Sequence, residues 1–171
     1  MTRIAALTLE QAPSGSRAAL EGVQKGLAFI PNAFSTLAHA PAALNGYLAL
    51  AQALGKSSLN AKEREIAALA TSEVNGCDYC IAAHSFFATK AGLDAEQIDQ
   101  ARAGSLDAIA TLARQITESR GQLSDEQIAV ARQAGLGDAK IVELVAQVTL
   151  LTLTNYLNNI AKTAIDFPPS A

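Results

Sequence analysis

A chain of 171 residues, half of them hydrophobic, has enough apolar material for one domain with a sizeable core. Net charge is -3, only 17% of residues are charged, and the two signs are interspersed with no basic cluster. That pattern argues against a nucleic-acid partner, and the absence of any run of about 18 apolar residues argues against a membrane span.

The hydrophobic half is mostly Ala and Leu, aromatics are 5% and Trp is absent, a composition that favours closely packed helices. The N-terminus carries a short IAAL run with Glu10 soon after it, too brief for a secretory leader, so a cytoplasmic protein is expected.

In chain order, residues 1–13 read as an extended arm ending at Pro13. Ser14 or Ser16 can cap a first helix, SRAALEGVQKGL. Pro31 suits the first position of a short helix that stops before Pro41. Pro41 then opens AALNGYLALAQAL. Asn60 and Glu63 form a capping box for a helix that runs to about Val74, and Asn75-Gly76 ends it. The next helix, CDYCIAAHSFFATKAG, closes near Lys90 and Gly92. Asp94 caps AEQIDQARA, LDAIATLARQITESRG follows, and Ser124 with Gln127 caps DEQIAVARQAG. A last helix spans about 138–165, with Asp166-Phe167-Pro168-Pro169 as a tail. No segment alternates as a strand does. The expectation is a single all-α domain over 1–171, a bundle of eight or nine helices with no sheet. KAGLDAEQIDQARAG and RQAGLGDAKIVELVAQ share a short pattern, a weak hint of a repeat.

Chemistry concentrates in residues 65–84, EIAALATSEVNGCDYCIAAH, within a helix pair at about 60–91. Both cysteines of the chain, Cys77 and Cys80, stand there as C-x-x-C, and His84 follows four residues after Cys80. In a reducing compartment such a pair is more often catalytic or metal-binding than a structural disulfide. Residues i and i+3 share a helix face, so the two sulfurs can approach each other, and His84 joins that face. A helix start stabilises a thiolate, and imidazole can take and return its proton. Glu65, on the preceding helix, is placed to orient His84. Glu73 is a rival carboxylate nearer the joint. Tyr79 should point off the thiol face, although a first-turn residue can lean over the site.

Other readings compete. C-x-x-C-x-x-x-H offers three zinc ligands, with Glu65 or His39 as a fourth, but structural zinc pairs sit on knuckles rather than within a helical turn. His39, just before Pro41, reads better as a helix-end residue. Haem attachment needs His directly after the second cysteine, where Ile81 stands. Phe86-Phe87 read as core packing. Asn155 and Asn159, one turn apart in the apolar run VTLLTLTNYLNNIA, need partners and could line a pocket, bridge helices or cap a subunit contact. Physics alone leaves open which cysteine is attacked first. Either order supports a dithiol cycle, because a nearby thiol captures a sulfenic acid before it oxidises further.

The order Glu65–x11–Cys77–x–Tyr79–Cys80–x3–His84 resembles the alkylhydroperoxidase D-like proteins of the carboxymuconolactone decarboxylase family. The likeness is strong over residues 41–104 and weaker over 124–163, where Asn155-Tyr156-Leu157-Asn158-Asn159 looks like the family's last block. It implies an all-α homo-oligomer, trimer or hexamer. It implies a peroxidase in which Cys80 attacks a hydroperoxide, Cys77 resolves the product as a disulfide, and Glu65 and His84 relay protons. No metal or organic cofactor is implied. The electron donor would be an external thiol or a dihydrolipoyl group on a partner protein. The lipoyl-dependent members have His where this chain has Tyr79, which leaves the donor open. The decarboxylase branch lacks the C-x-x-C. Two further readings of the dithiol stand beside this one: a disulfide oxidoreductase whose substrate is not a peroxide, and a redox-sensing oligomer without turnover.

Overall fold

The computed structural model describes residues 1–168. Among them are nine α-helices and no strand: α1 (Ser14–Leu27), α2 (Asn32–Leu37), α3 (Pro41–Leu54), α4 (Ala61–Val74), α5 (Asp78–Lys90), α6 (Ala95–Ala103), α7 (Ala108–Ser119), α8 (Asp125–Gln133) and α9 (Asp138–Ala161).

The bundle is built around α4. Ile66, Ala67, Ala68, Leu69, Ala70, Thr71 and Ser72 are all buried, so this helix is covered on every side. Its small side chains let α5, α6, α7 and α9 pack close around it. Leu69, Leu112 and Leu144 are among the fully buried side chains of the largest core cluster. A helix in this position is a rigid base for whatever projects from its ends.

Local chemistry sets most helix boundaries. Asn60 accepts from the Glu63 amide at 3.0 Å while Glu63 accepts from the Asn60 amide at 2.9 Å, the reciprocal box expected there. Asp94 with Gln97 and Ser124 with Gln127 repeat the device. Gly76 takes φ +59° in the joint between α4 and α5, the left-handed conformation that glycine adopts without steric cost.

Three expected boundaries shift. Neither Ser14 nor Ser16 caps α1: Pro13 precedes it with no side-chain cap, and Ser16, buried inside the helix, donates to the Ala38 carbonyl at 2.8 Å. Pro31 stands just before α2 rather than in it, and that helix ends at Leu37. The last helix ends at Ala161 rather than Ile165, because Lys162 turns into the left-handed region at φ 52°.

The remaining tail folds back over the N-terminus of α2. Asn32 donates its backbone amide to Asp166 at 2.8 Å and its side-chain amide to the Ala164 carbonyl at 2.9 Å. Phe167 is 7% exposed, so the tail buries its aromatic ring within its own chain. Burying such a ring is worth about 1.5–3 kcal/mol. Pro169, the last residue of that expected tail, lies outside the described residues.

Candidate active site

The α4–α5 joint brings the two ends of the site together. Cys77 is the N-cap of α5, not its first helical residue, and its Sγ accepts from the Cys80 amide at 3.3 Å. Sulfur thus fills the capping role that an oxygen usually takes. Cys77 is fully buried and Cys80 is 3% exposed. Both thiols are free.

The two sulfurs differ electrostatically. The Cys77 thiol hydrogen-bonds the Cys80 side chain, and this is the largest influence drawing the Cys80 pKa below the ordinary thiol value. Burial opposes the effect, while His84 and the amides of Asn158 and Asn155 reinforce it. Asn158 Nδ2 donates to Cys80 Sγ at 3.3 Å. Cys77 is pushed the other way, because its proton is held by Cys80, with burial adding to the rise. One sulfur is therefore prepared as a thiolate and the other as the thiol that stabilises it.

His84 and Glu65 meet as expected. His84 Nδ1 lies 2.8 Å from Glu65 Oε2, with side chains 20% and 21% exposed. Burial works against a charged imidazole, but the Glu65 carboxylate and then Cys80 outweigh it, so the His84 pKa is raised. With Nδ1 engaged, Nε2 is the ring nitrogen left for proton transfer. Glu73, the rival carboxylate, instead receives Arg102 Nε at 2.8 Å.

Cys80, His84 and Glu65 border a cavity of about 290 Å³ whose other walls are mostly apolar and include five aromatic rings: Phe34, Tyr47, Tyr79, Phe87 and Phe167. Tyr79 therefore does lean over the site. Its hydroxyl donates to Asp166 at 2.8 Å and accepts from the Ala33 amide at 3.2 Å. Phe87, expected in the core, is a half-buried wall of the cavity, and Phe86 sits under the Lys90 ammonium at 4.2 Å.

Asn155 and Asn159 are not among the cavity's walls. Asn155, fully buried, donates to Ser72 Oγ at 3.1 Å and accepts from Asn75 Nδ2 at 2.9 Å. Asn159 donates to the Asn75 carbonyl at 2.8 Å. Both tie α9 to the α4–α5 joint, the bridging role among those left open. The asparagine that lines the cavity and donates to the thiol at 3.3 Å is Asn158, between them. Sequence reasoning also missed Tyr47, Thr154, Asp166 and Phe167. A signal existed for Asn158 alone: it is one of three asparagines in five residues of an apolar helix, each of which needs a polar partner.

No group of three or more His, Cys, Asp or Glu side chains among the described residues is arranged to hold a metal ion. His39, weighed as a zinc ligand, instead lies 2.8 Å through Nε2 from the Ala5 carbonyl of the N-terminal arm. No helix of the described residues is long and apolar enough to cross a membrane.

Comparison with known proteins agrees with this architecture. No curated protein matches the sequence. The fold is shared with an alkylhydroperoxidase AhpD core, an uncharacterized peroxidase-related protein from Ralstonia eutropha JMP134, at 23% identity and TM-score 0.83, covering 96% of this chain and 92% of that one. It is shared with a peroxidase-related protein from Silicibacter sp. TM1040 at 22% identity and TM-score 0.78, covering 94% and 91%. It is also shared with the debrominase Bmp8 at 18% identity and TM-score 0.79, covering 97% and 93%; a cysteine-to-alanine variant of that enzyme has been solved with 2,3,4-tribromopyrrole. Residues 41–118, which hold α4, α5 and the whole Glu65–Cys77–Cys80–His84 set, match the Carboxymuconolactone decarboxylase family. The helix pair that carries the dithiol thus matches the carboxymuconolactone decarboxylase family, and the fold over nearly the full length is the one these peroxidase-related proteins share.

Proposed function

We propose that this protein is a thiol-dependent peroxidase whose redox unit is the Cys77–Cys80 dithiol. The observation that carries the reading is the asymmetry of the pair. Cys80 borders the cavity, is drawn toward thiolate, and lies beside a His84–Glu65 pair, while Cys77 sits behind it as a protonated thiol. The two peroxidase-related proteins of the same fold support it.

The cycle balances as follows. Cys80 thiolate attacks one oxygen of a hydroperoxide; the O–O bond breaks, an S–O bond forms, and sulfur loses two electrons to the peroxide. The departing alkoxide takes a proton from the His84 imidazolium and leaves as an alcohol. Cys77 then attacks the Cys80 sulfenic acid, forming the disulfide and releasing water. An external dithiol, small or lipoyl-bound, returns two electrons and two protons. His84 acts as general acid here, and Glu65 holds its ring in place.

Intact mass before and after one equivalent of peroxide tests this directly. Wild type should lose two hydrogens, Cys77→Ser should accumulate a sulfenic acid on Cys80, and Cys80→Ser should remain unmodified. Cys80→Ser turning over cumene hydroperoxide with dithiothreitol at the wild-type rate would overturn the scheme.

The aromatic cavity and the debrominase fold favour a second reading, reductive dehalogenation. There a C–Br bond would be replaced by C–H, bromide would leave, and the dithiol would become the disulfide. Bromide release from 2,3,4-tribromopyrrole with dithiothreitol, in the absence of peroxide turnover, would select it.

We infer also that the protein self-associates through α9, whose Val142, Val145, Leu153, Tyr156 and Ile160 are exposed along one helix. A monomeric sedimentation profile at micromolar concentration would contradict this.

A further inference from the structure

Cys80 is nearly inaccessible, yet it borders a cavity. One wall of that cavity, Phe167, comes from the far end of the chain. Phe167 meets Phe29, Tyr79 and Phe87 edge-on with ring centroids 5.6, 5.8 and 5.6 Å apart, and it packs in one buried cluster with Cys77, Tyr79 and Cys80. Unlike the cavity's helical walls, this ring rides on a segment outside any helix.

The hold on that segment is concentrated in one carboxylate. Asp166, next to the ring, accepts from the Asn32 amide and from the Tyr79 hydroxyl, each at 2.8 Å. One further bond, from Asn32 Nδ2 to the Ala164 carbonyl, completes the tail's polar attachment to α2. Ile165 remains exposed, and the buried Thr163 hydroxyl has no partner. Tyr79, the donor to Asp166, stands between the two cysteines in the chain and is buried. The C-x-x-C turn therefore grips the very segment that supplies a wall of its cavity.

We propose that Phe167 is the size-selecting gate of the Cys80 cavity and that the Tyr79–Asp166 bond is its latch. With the latch closed, a small peroxide or thiol reaches Cys80, and a bulky one waits for the tail to lift. The kinetic side of this inference rests on the peroxidase reading, whereas thiol labelling does not.

The test uses the full-length protein and its variants Phe167→Ala, Phe167→Leu and Asp166→Asn. Labelling of Cys80 is followed by peptide mass analysis with a small probe, iodoacetamide, and a bulky one, N-(1-pyrenyl)maleimide. The bulky-to-small rate ratio should rise about tenfold in Asp166→Asn, the shift in opening that loss of one charge-assisted bond produces. It should rise further in Phe167→Ala and less in Phe167→Leu. The ratio of kcat/KM for cumene hydroperoxide over hydrogen peroxide should follow the same order. An unchanged labelling ratio in all three variants overturns the gate. Equal acceleration of both probes does too, since that reports general loosening, as would new labelling of the fully buried Cys77. Should no peroxide be consumed at all, the peroxidase reading fails while the labelling ratio still decides the gate.

Discussion

Asn158 Nδ2 and Cys80 Sγ lie 3.3 Å apart although 78 residues separate them in the chain. The contact gives the buried thiol a donor for its charged form and fixes α9 against the start of α5. Asn158 Oδ1 has no partner of its own, so the residue's satisfied half is the one facing sulfur.

The first prediction concerns that thiol. The Cys80 pKa is lowered, so its thiolate should persist as pH falls through neutrality, where a free thiol of pKa about 8.5 is mostly protonated. Iodoacetamide alkylation of Cys80 should hold its plateau down to about pH 7. Asn158→Leu should move the inflection upward by about 1–2 pH units, the equivalent of a hydrogen bond to a charged group. A pH profile unchanged by that substitution would deny Asn158 its role.

A second prediction addresses the imidazole. In Glu65→Gln the carboxylate that outweighs burial is gone, so the His84 pKa should fall, read by the NMR shift of its ring proton. Turnover should drop by about 10–100-fold, as when the partner of a working histidine is lost. The sign for stability follows from the raised folded pKa. The contribution is full below the unfolded value of about 6.5 and fades as pH rises through the folded one. The stability gap between wild type and Glu65→Gln should therefore narrow on going alkaline.

A third concerns the bridge between α9 and the joint. Asn155→Leu removes a fully buried amide and leaves Ser72 and the Asn75 side chain short of a partner. Denaturant unfolding should show a loss of about 1–3 kcal/mol.

A fourth tests the rigid base. Leu69→Ala, in the centre of α4 and fully buried, should cost about 2–5 kcal/mol through the cavity it leaves. Asn60→Ala, at the exposed start of the same helix, should cost only about 0.5–2 kcal/mol.

Local order determined a good deal of this protein. Asn60–Glu63, Asp94–Gln97 and Ser124–Gln127 announce helix starts because capping is a bond between residues three apart. The shared face of Cys77, Cys80 and His84 follows from helical spacing, and Glu65 was legible as a carboxylate on the preceding helix placed to orient His84. The tertiary structure decided what spacing cannot reach. Asp166 meeting Tyr79, Phe167 lining one cavity with Cys80, and Asn158 touching its sulfur join residues 87, 87 and 78 positions apart. No periodicity carries such pairings, because they depend on how α9 and its tail return across α5, and that path is set by packing around α4.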